Sequence, residues 1–231
     1  MLAIAHQRDA GPGVFAGAVT EAGDELDHWW IAEAAEPPSE LAAYDAVMTF
    51  GGAMNVDQEE RHAWLAPEKE LLRRLLERET PLLGVCLGAQ LVSAAAGGEP
   101  RRAVEPEIGW FEVEVTDEGA DDPLLRGLEP GFEVFEWHSY ECAPPPGAAV
   151  LACTAVCGQA FRFGPAAWGI QFHAEVTPAI AEDWIADYRS DPDAIRIGID
   201  PQELRAATRE RIDSQQQLGR ELCARFLASA R

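Results

Sequence analysis

The chain has 231 residues, 47% of them hydrophobic, which is enough to bury a sizeable core within one domain. Its 40 acidic against 18 basic residues give a formal net charge of −22 at pH 7, and such an acidic surface repels nucleic-acid backbones and anionic membranes. No apolar run approaches the roughly 18 residues that span a bilayer, and the short apolar start lacks the basic region of a signal peptide. We therefore expect one cytoplasmic domain, residues 1–231, that binds neither nucleic acid nor membrane.

Strands and helices alternate through the first half of the chain. The sequence predicts strands over residues 2–5, 26–31, 46–50 and 81–85, and helices over 12–22, from Pro67 onward and over 87–96. The helix that Pro67 opens carries four leucines on one face, Leu71, Leu72, Leu75 and Leu76. This alternation predicts an α/β fold with a doubly wound, mostly parallel sheet flanked by helices, whose reactive loops lie at the carboxyl ends of the strands.

Cys86 stands where the predicted strand 81–85 runs into a helix. Gly84 and Gly88 flank it two residues away on each side, the spacing of a nucleophile elbow, whose sharp turn admits only small side chains at those positions. The N-terminus of the following helix stabilises negative charge on the thiol. On this pattern alone, a reactive cysteine and an ordinary buried cysteine in a parallel strand fit about equally well.

A second apolar strand, near residues 168–172, ends in His173-Ala174-Glu175. Alternation along an extended segment puts His173 and Glu175 on one side, so the carboxylate can orient the imidazole that activates Cys86. A lone histidine after a strand is more often structural. In combination with the elbow, it favours a reactive Cys86 with His173 as its general base.

The second half of the chain predicts a different pattern. Between residues 109 and 172, short alternating segments such as 110–115 and 149–152 indicate a small antiparallel β excursion before His173. Thr177-Pro178 predicts a helix to about residue 189, and Asp200-Pro201 begins a long C-terminal helical extension over 201–229. Apolar residues are sparse in this last helix, so packing on a partner and a solvated tail are both compatible with it.

Neither a metal nor an organic cofactor is expected. The five cysteines are an odd number, which argues against a disulfide framework. Cys153 and Cys157 have no second pair or histidine doublet to complete a metal site, and we interpret them as small apolar fillers near a strand and turn. The glycines after the first strand miss the dinucleotide-binding spacing by one residue, and no P-loop occurs, so any ATP-dependent synthetase is expected to be a separate chain.

Three segments carry a family resemblance: residues 84–90, residues 169–175, and the glycine-rich residues 50–55, with weaker matches at 107–110, 137–139 and 158–162. In these segments the chain resembles the class I (triad) glutamine amidotransferases, especially stand-alone members similar to the amidotransferase domain of GMP synthase. The resemblance implies a flavodoxin-like fold and a Cys-His-Glu triad that converts glutamine into glutamate and ammonia through a γ-glutamyl thioester. It implies no cofactor.

Carried over by motif position, the resemblance implies the roles of five residues. Cys86 becomes the nucleophile, His173 the base and later the acid, and Glu175 the group that fixes the imidazole tautomer. The backbone N–H groups of Gly52 and Leu87 match the oxyanion hole, where glycine lets the main chain approach the reacting oxygen closely.

Four further residues match substrate-binding positions of the family: Gly51, Gln90, Ser139 and Tyr140. For Gln90 the alternative is a polar residue that caps the first helical turn. For residues 137–140 the alternative is a surface turn after a strand at 132–135.

Three functions are compatible with these residues. The first is a glutaminase that supplies ammonia to a separate synthetase or other acceptor enzyme, and the second is a stand-alone hydrolase of γ-glutamyl peptides or amines with the same triad. The third is a non-catalytic or redox-sensing protein that uses Cys86. Gln90 and the paired glycines favour the glutaminase, while Ala53 and Ala174, which stand where the family often has proline, remove a fixed φ and loosen both loops. The oligomeric state is not indicated.

Overall fold

The computed structural model describes residues 1–34, 36–37 and 39–230. The first half of the described chain alternates strands with helices, as predicted. Its elements are β1 (Leu2–Ala5), α1 (Val14–Glu21), β2 (Asp27–Trp30), β3 (Val47–Thr49), α2 (Leu65–Glu77), β4 (Leu82–Val85) and α3 (Leu87–Ala95). Helix α2 begins two residues before Pro67, which therefore lies in its first turn, and α1 begins after Gly13 rather than at Pro12.

The second half contains longer strands than predicted. Its elements are β5 (Arg101–Val115), α4 (Asp117–Asp121), β6 (Gly131–Glu141), β7 (Ala149–Cys153), β8 (Gly158–Phe163), β9 (Ala167–Ile170), α5 (Pro178–Ala186), α6 (Pro192–Arg196) and α7 (Pro201–Ser229). Helix α5 ends before residue 189, and a short 3₁₀ turn, Tyr188–Ser190, follows it.

All nine of these strands form one mixed sheet, in the order β2-β1-β3-β4-β9-β8-β7-β5-β6. From β2 to β9 neighbouring strands pair in parallel, and from β9 to β6 they pair antiparallel. The doubly wound parallel part is thus confirmed. The antiparallel part is larger than the predicted small excursion, because β5 begins at Arg101 and pairs with β6 along most of both strands.

Alternation along the parallel strands divides the core between the two faces of the sheet. Ala3, Met48 and Leu83 pack on one face with Phe15 of α1 and Phe226 of α7. On the other face, the alternate strand residues Leu2, Ile4, Val47 and Leu82 pack with α2 and α3. Helices on both faces leave the carboxyl ends of the strands as the edge where loops carry functional side chains.

Helix α7 packs on its own chain, so the interpretation as a solvated tail is wrong, while packing on a partner stays a prediction. Its Leu222 and Phe226 are buried in the core, and a Cβ atom added to Gly219 would lie 2.0 Å from the backbone oxygen of Ala174. The side-chain amide of Gln215 donates to the backbone oxygen of His173. The helix therefore supports the loop that carries His173, using small and polar residues that the apolar pattern does not detect.

No helix in the described part of the chain combines the length and the hydropathy needed to cross a membrane. The single-domain boundary, 1–231, stays a prediction, and residues 35, 38 and 231 within it lie outside the described residues.

Candidate active site

Cys86 forms the turn between β4 and α3 with φ 54° and ψ −111°, a conformation that L residues rarely adopt. The glycines on either side make this turn possible. A Cβ atom at Gly84 would lie 2.5 Å from the oxygen of Gly88, and one at Gly88 would lie 2.0 Å from the oxygen of Thr49. The predicted elbow geometry is therefore present, and it places the thiol of Cys86, 6% exposed, at the carboxyl edge of the parallel sheet.

His173 and Glu175 lie in the loop after β9, the strand next to β4. Nδ1 of His173 is 2.8 Å from Oε1 of Glu175, and both side chains are buried. The imidazole of His173 is also close enough to Cys86 for the sulfur to act on it electrostatically. Burial alone would lower the pKa of His173, but the Glu175 carboxylate and the neighbouring Cys86 sulfur outweigh burial and raise that pKa well above its usual range.

A backbone hydrogen bond and an aromatic ring contact fix the position of the imidazole. The N–H of His173 donates to the oxygen of Phe135 over 2.9 Å, and the ring of Trp184 meets the imidazole edge-on with centroids 4.7 Å apart. The three side chains predicted as a triad are thus brought together by β4, β9 and β6, although they come from distant parts of the sequence.

The paired glycines lie between these groups. A Cβ atom at Gly51 would be 3.2 Å from Cε1 of His173 and 3.7 Å from Cβ of Cys86. One at Gly52 would be 3.3 Å from Cδ2 of Leu87, the first residue of α3, whose N–H has no partner within the helix. Gly52 and Leu87, the two residues predicted to supply oxyanion donors, therefore lie close to each other, and both line the same pocket as Cys86.

Gln90 faces the pocket rather than the helix end. Its side-chain amide donates to the backbone oxygen of Tyr140 over 3.2 Å, and α3 has no side-chain cap. The alternative interpretation as a capping residue is therefore wrong. Ser139 and Tyr140 belong to strand β6, so the alternative of a surface turn is wrong as well.

A cavity of about 600 Å³ opens beside Cys86 and is lined by Gln90, Ser139 and Tyr140. Its outer wall comes from a segment for which no function was predicted, residues 187–196, together with Arg102. Asp193 is central there: burial would raise its pKa, but hydrogen bonds from Ser139, Arg102 and Arg196 lower it. The cavity therefore extends beyond the triad to a wall of charged and polar groups.

A buried polar cluster behind the cavity was also missed from the sequence. Nε2 of His138 lies 3.3 Å from Glu107 and 3.4 Å from Glu136, and Gln159 donates to Glu107 over 2.7 Å. Cys157 places its sulfur 3.6 Å from the same carboxylate, so the interpretation of Cys157 as an apolar filler is wrong.

The cluster contains a set of possible metal ligands. One ligand atom each from Glu107, His138 and Cys157 lies within 4.8 Å of the others. Gln159, however, directs its amide nitrogen, a donor, at both Glu107 and the Cys157 sulfur. Hydrogen bonds thus account for the contacts of Glu107 and Cys157, and Nε2 of His138 faces the two carboxylates as a charge pair. The absence of a metal site stays a prediction.

Comparisons with known proteins agree with this architecture. Residues 15–187 match the family model of the class-I glutamine amidotransferases. A subunit of the glutamine-hydrolyzing GMP synthase of Sulfolobus acidocaldarius is 36% identical over 140 residues, which cover 59% of this chain and 70% of that protein. A gamma-glutamyl-L-1-hydroxyisopropylamide hydrolase of a Pseudomonas species is 30% identical over 146 residues, which cover 59% of this chain and 49% of that protein.

Among solved structures, a glutamine amidotransferase from Thermotoga maritima matches with a TM-score of 0.86 and 27% identity, over 98% of this chain and 96% of that one. The chain belongs to the class I glutamine amidotransferase family and has its flavodoxin-like fold. It is therefore an enzyme with amide hydrolase activity, which sets aside the non-catalytic hypothesis.

Proposed function

We propose that this chain hydrolyses the side-chain amide of L-glutamine through a thioester on Cys86 and supplies the ammonia to a separate acceptor enzyme. The observation that carries the proposal is the Cys86–His173–Glu175 arrangement beside the cavity, in which Nδ1 of His173 is 2.8 Å from the Glu175 carboxylate and the imidazole interacts electrostatically with Cys86. Such an order, a nucleophile, a base and a group that orients the base, is the arrangement required for acyl transfer.

In the first half-reaction, His173 accepts the thiol proton and the sulfur of Cys86 attacks the amide carbon of glutamine. The negative charge that develops on the amide oxygen is stabilised by the N–H groups of Leu87 and Gly52. His173 then donates its proton to the departing nitrogen. The C–N bond breaks, ammonia leaves, and the γ-glutamyl group remains on Cys86 as a thioester.

In the second half-reaction, water replaces ammonia beside the imidazole. His173 accepts a proton from that water, and the resulting oxygen nucleophile attacks the thioester carbon. The C–S bond breaks, glutamate is released, and the thiol of Cys86 recovers its proton from His173. Glu175 keeps the ring oriented and stabilises its cationic form in both halves, without exchanging a proton with substrate.

The polar residues along the cavity would hold the rest of the glutamine molecule. Gln90 and the adjacent main chain of Tyr140 lie next to the thiol, and Ser139 contacts Asp193 farther out. Gly51 keeps the space beside Cys86 and His173 open, because a Cβ atom there would lie only 3.2 Å from Cε1 of the imidazole and would crowd it. These four residues are proposed as substrate-binding positions.

The relative from S. acidocaldarius is named as one subunit of a GMP synthase, and this supports a separate synthetase as the ammonia acceptor. A second candidate function is hydrolysis of larger γ-glutamyl amides. The extent of the cavity favours it, since about 600 Å³ and the polar wall of residues 187–196 leave room for a leaving group larger than ammonia. The Pseudomonas relative is named as a hydrolase of such an amide.

The test measures glutamate released by the purified chain from L-glutamine and from γ-glutamyl amides of increasing size, with Cys86→Ala as the blank. We expect turnover of glutamine, low without a partner because an uncoupled glutaminase wastes substrate. Fast turnover of a larger amide with weak activity on glutamine would favour the second function. If Cys86→Ala kept both activities, both proposed functions would be overturned.

A further inference from the structure

A second buried histidine–carboxylate pair lies on the far side of the glycine loop from His173. His6, the residue after β1, is 3% exposed. Its Nε2 atom is 2.9 Å from Oε2 of Glu68 on α2, and its Nδ1 atom is 2.9 Å from the backbone oxygen of Gly51. Thr49 donates its hydroxyl to the other oxygen of Glu68 over 2.7 Å. The ring of Trp64 stacks on the imidazole with centroids 4.8 Å apart.

These contacts determine where a proton must lie. A backbone carbonyl can only accept, so Nδ1 of His6 carries hydrogen and donates to Gly51. Nε2 faces the Glu68 carboxylate, which also accepts, so both ring nitrogens face acceptors; burial would lower the pKa of His6, but Glu68 raises it above its usual value, in keeping with this arrangement. His6 therefore keeps its hydrogen bond to Gly51, and the His6 ring cannot rotate without breaking its contacts to Glu68 and Trp64.

The carbonyl of Gly51 and the N–H of Gly52 belong to one peptide unit. That unit is planar and trans, so its C=O and N–H bonds point in opposite directions and turn together. With glycine on both sides, no side chain restricts its rotation. Within the described residues, the N–H of Gly52 has no hydrogen-bond partner. A bond that holds the oxygen of Gly51 on the His6 side therefore also fixes the direction of the Gly52 N–H.

We propose that His6, anchored by Glu68, is a positioning residue that holds the Gly51–Gly52 peptide so that the Gly52 N–H faces the developing oxyanion. The inference rests on the proposed function, because it assigns a role to the oxyanion hole of that reaction. His6 touches neither the substrate nor Cys86 in this mechanism. It acts only through the orientation of one peptide unit.

The test compares two substitutions of similar size. In His6→Asn, the amide nitrogen can occupy the position of Nδ1 and still donate to Gly51, whereas His6→Leu has no donor. Each variant is assayed for kcat and KM with the best substrate of the wild type, and for the rate at which iodoacetamide alkylates Cys86. Alkylation forms no oxyanion, so its rate reports the reactivity of the Cys86 thiol independently of the oxyanion hole.

We expect His6→Leu to lower kcat by roughly 10² to 10³, the usual effect of removing one oxyanion donor, with KM and the alkylation rate changed less than about threefold. His6→Asn should recover most of kcat. If His6→Leu does not fold because Glu68 is left buried and unpaired, the double variant His6→Leu/Glu68→Leu removes that charge and gives the same comparison.

Two results would overturn the inference while leaving the proposed function intact: wild-type kcat in His6→Leu, or a parallel fall in kcat and in alkylation of Cys86. Failure of the proposed function is distinguishable, because the wild type itself would then turn over neither glutamine nor a γ-glutamyl amide, and the inference would be overturned with it.

Discussion

Nδ1 of His173 and Oε1 of Glu175 are 2.8 Å apart in a loop where both side chains are 2% exposed. Because Nδ1 is occupied by the carboxylate, the other ring nitrogen of His173 is the one available for proton exchange with Cys86. The second oxygen of Glu175 is buried and has no hydrogen-bond partner in the described part of the chain. Among the described residues, the imidazole of His173 is therefore the one hydrogen-bond partner of the Glu175 carboxylate.

We predict that Glu175→Gln lowers kcat by roughly 10² to 10⁴ while KM changes little. The amide keeps the shape of the carboxylate, but it neither stabilises the cationic imidazole nor enforces the reactive tautomer. Steady-state kinetics with glutamine, or with the best γ-glutamyl substrate, measures this effect. Wild-type kcat in Glu175→Gln would mean that another group orients His173.

A diazo-ketone analogue of glutamine should label Cys86 selectively. Burial raises the pKa of Cys223 to about 12, and it raises the pKa of Cys142 and Cys157 still further above the ordinary range. These three thiols are therefore protonated and unreactive at neutral pH. Peptide mass mapping after labelling, with Cys86→Ser as control, should find the adduct on Cys86, and an adduct on the partly buried Cys153 would contradict the assignment.

The parallel half of the fold could be predicted because its signals are local. Strands β1, β3 and β4 are short, fully buried and mostly apolar runs, and the flanking glycines of Cys86 follow from a turn in which any side chain would collide with backbone. The length of β5 could not be predicted in the same way. Its exposed residues, such as Val104, have no alternation to mark them, and its pairing with β6 joins residues far apart in sequence.

The triad could be predicted because a cysteine elbow and a His-x-Glu segment each have a recognisable spacing. The supporting residues have none. His6 and Glu68 are 62 positions apart, and Gln215 reaches the backbone of His173 from α7. A histidine directly after a parallel strand was the one local signal for His6, and it gains meaning only when a carboxylate is seen against it.

Two helical glycines should respond in opposite ways to alanine. At Gly17 in α1 a Cβ atom has nothing within 4 Å, so Gly17→Ala should stabilise the fold by about 0.5 to 1 kcal/mol through helix propensity. At Gly88 in α3 it would lie 2.0 Å from the oxygen of Thr49, so Gly88→Ala should destabilise by more than about 2 kcal/mol. Urea unfolding of both variants measures the difference, and equal effects would contradict the elbow packing.

Stability should fall at alkaline pH as His138 loses its proton. Burial would lower its pKa, but Glu107 and Glu136 raise that pKa from 6.5 to about 10, with Cys86 adding to the effect. Because the folded pKa exceeds the unfolded one, this stabilisation is complete below pH 6.5 and is lost as pH rises towards about 10.

The imidazole can be followed directly by nitrogen NMR from pH 6 to pH 10, with His138→Gln used to assign its signals. Cys157 and Cys142, which also lie near Glu136 or Glu107, have raised pKa values and stay protonated through most of this range. We expect the His138 signals to remain those of a doubly protonated ring at pH 8, and urea unfolding to show lower stability at pH 9.5 than at pH 6.5. Titration of His138 near its ordinary value of 6.5 would show that the two carboxylates do not hold its proton.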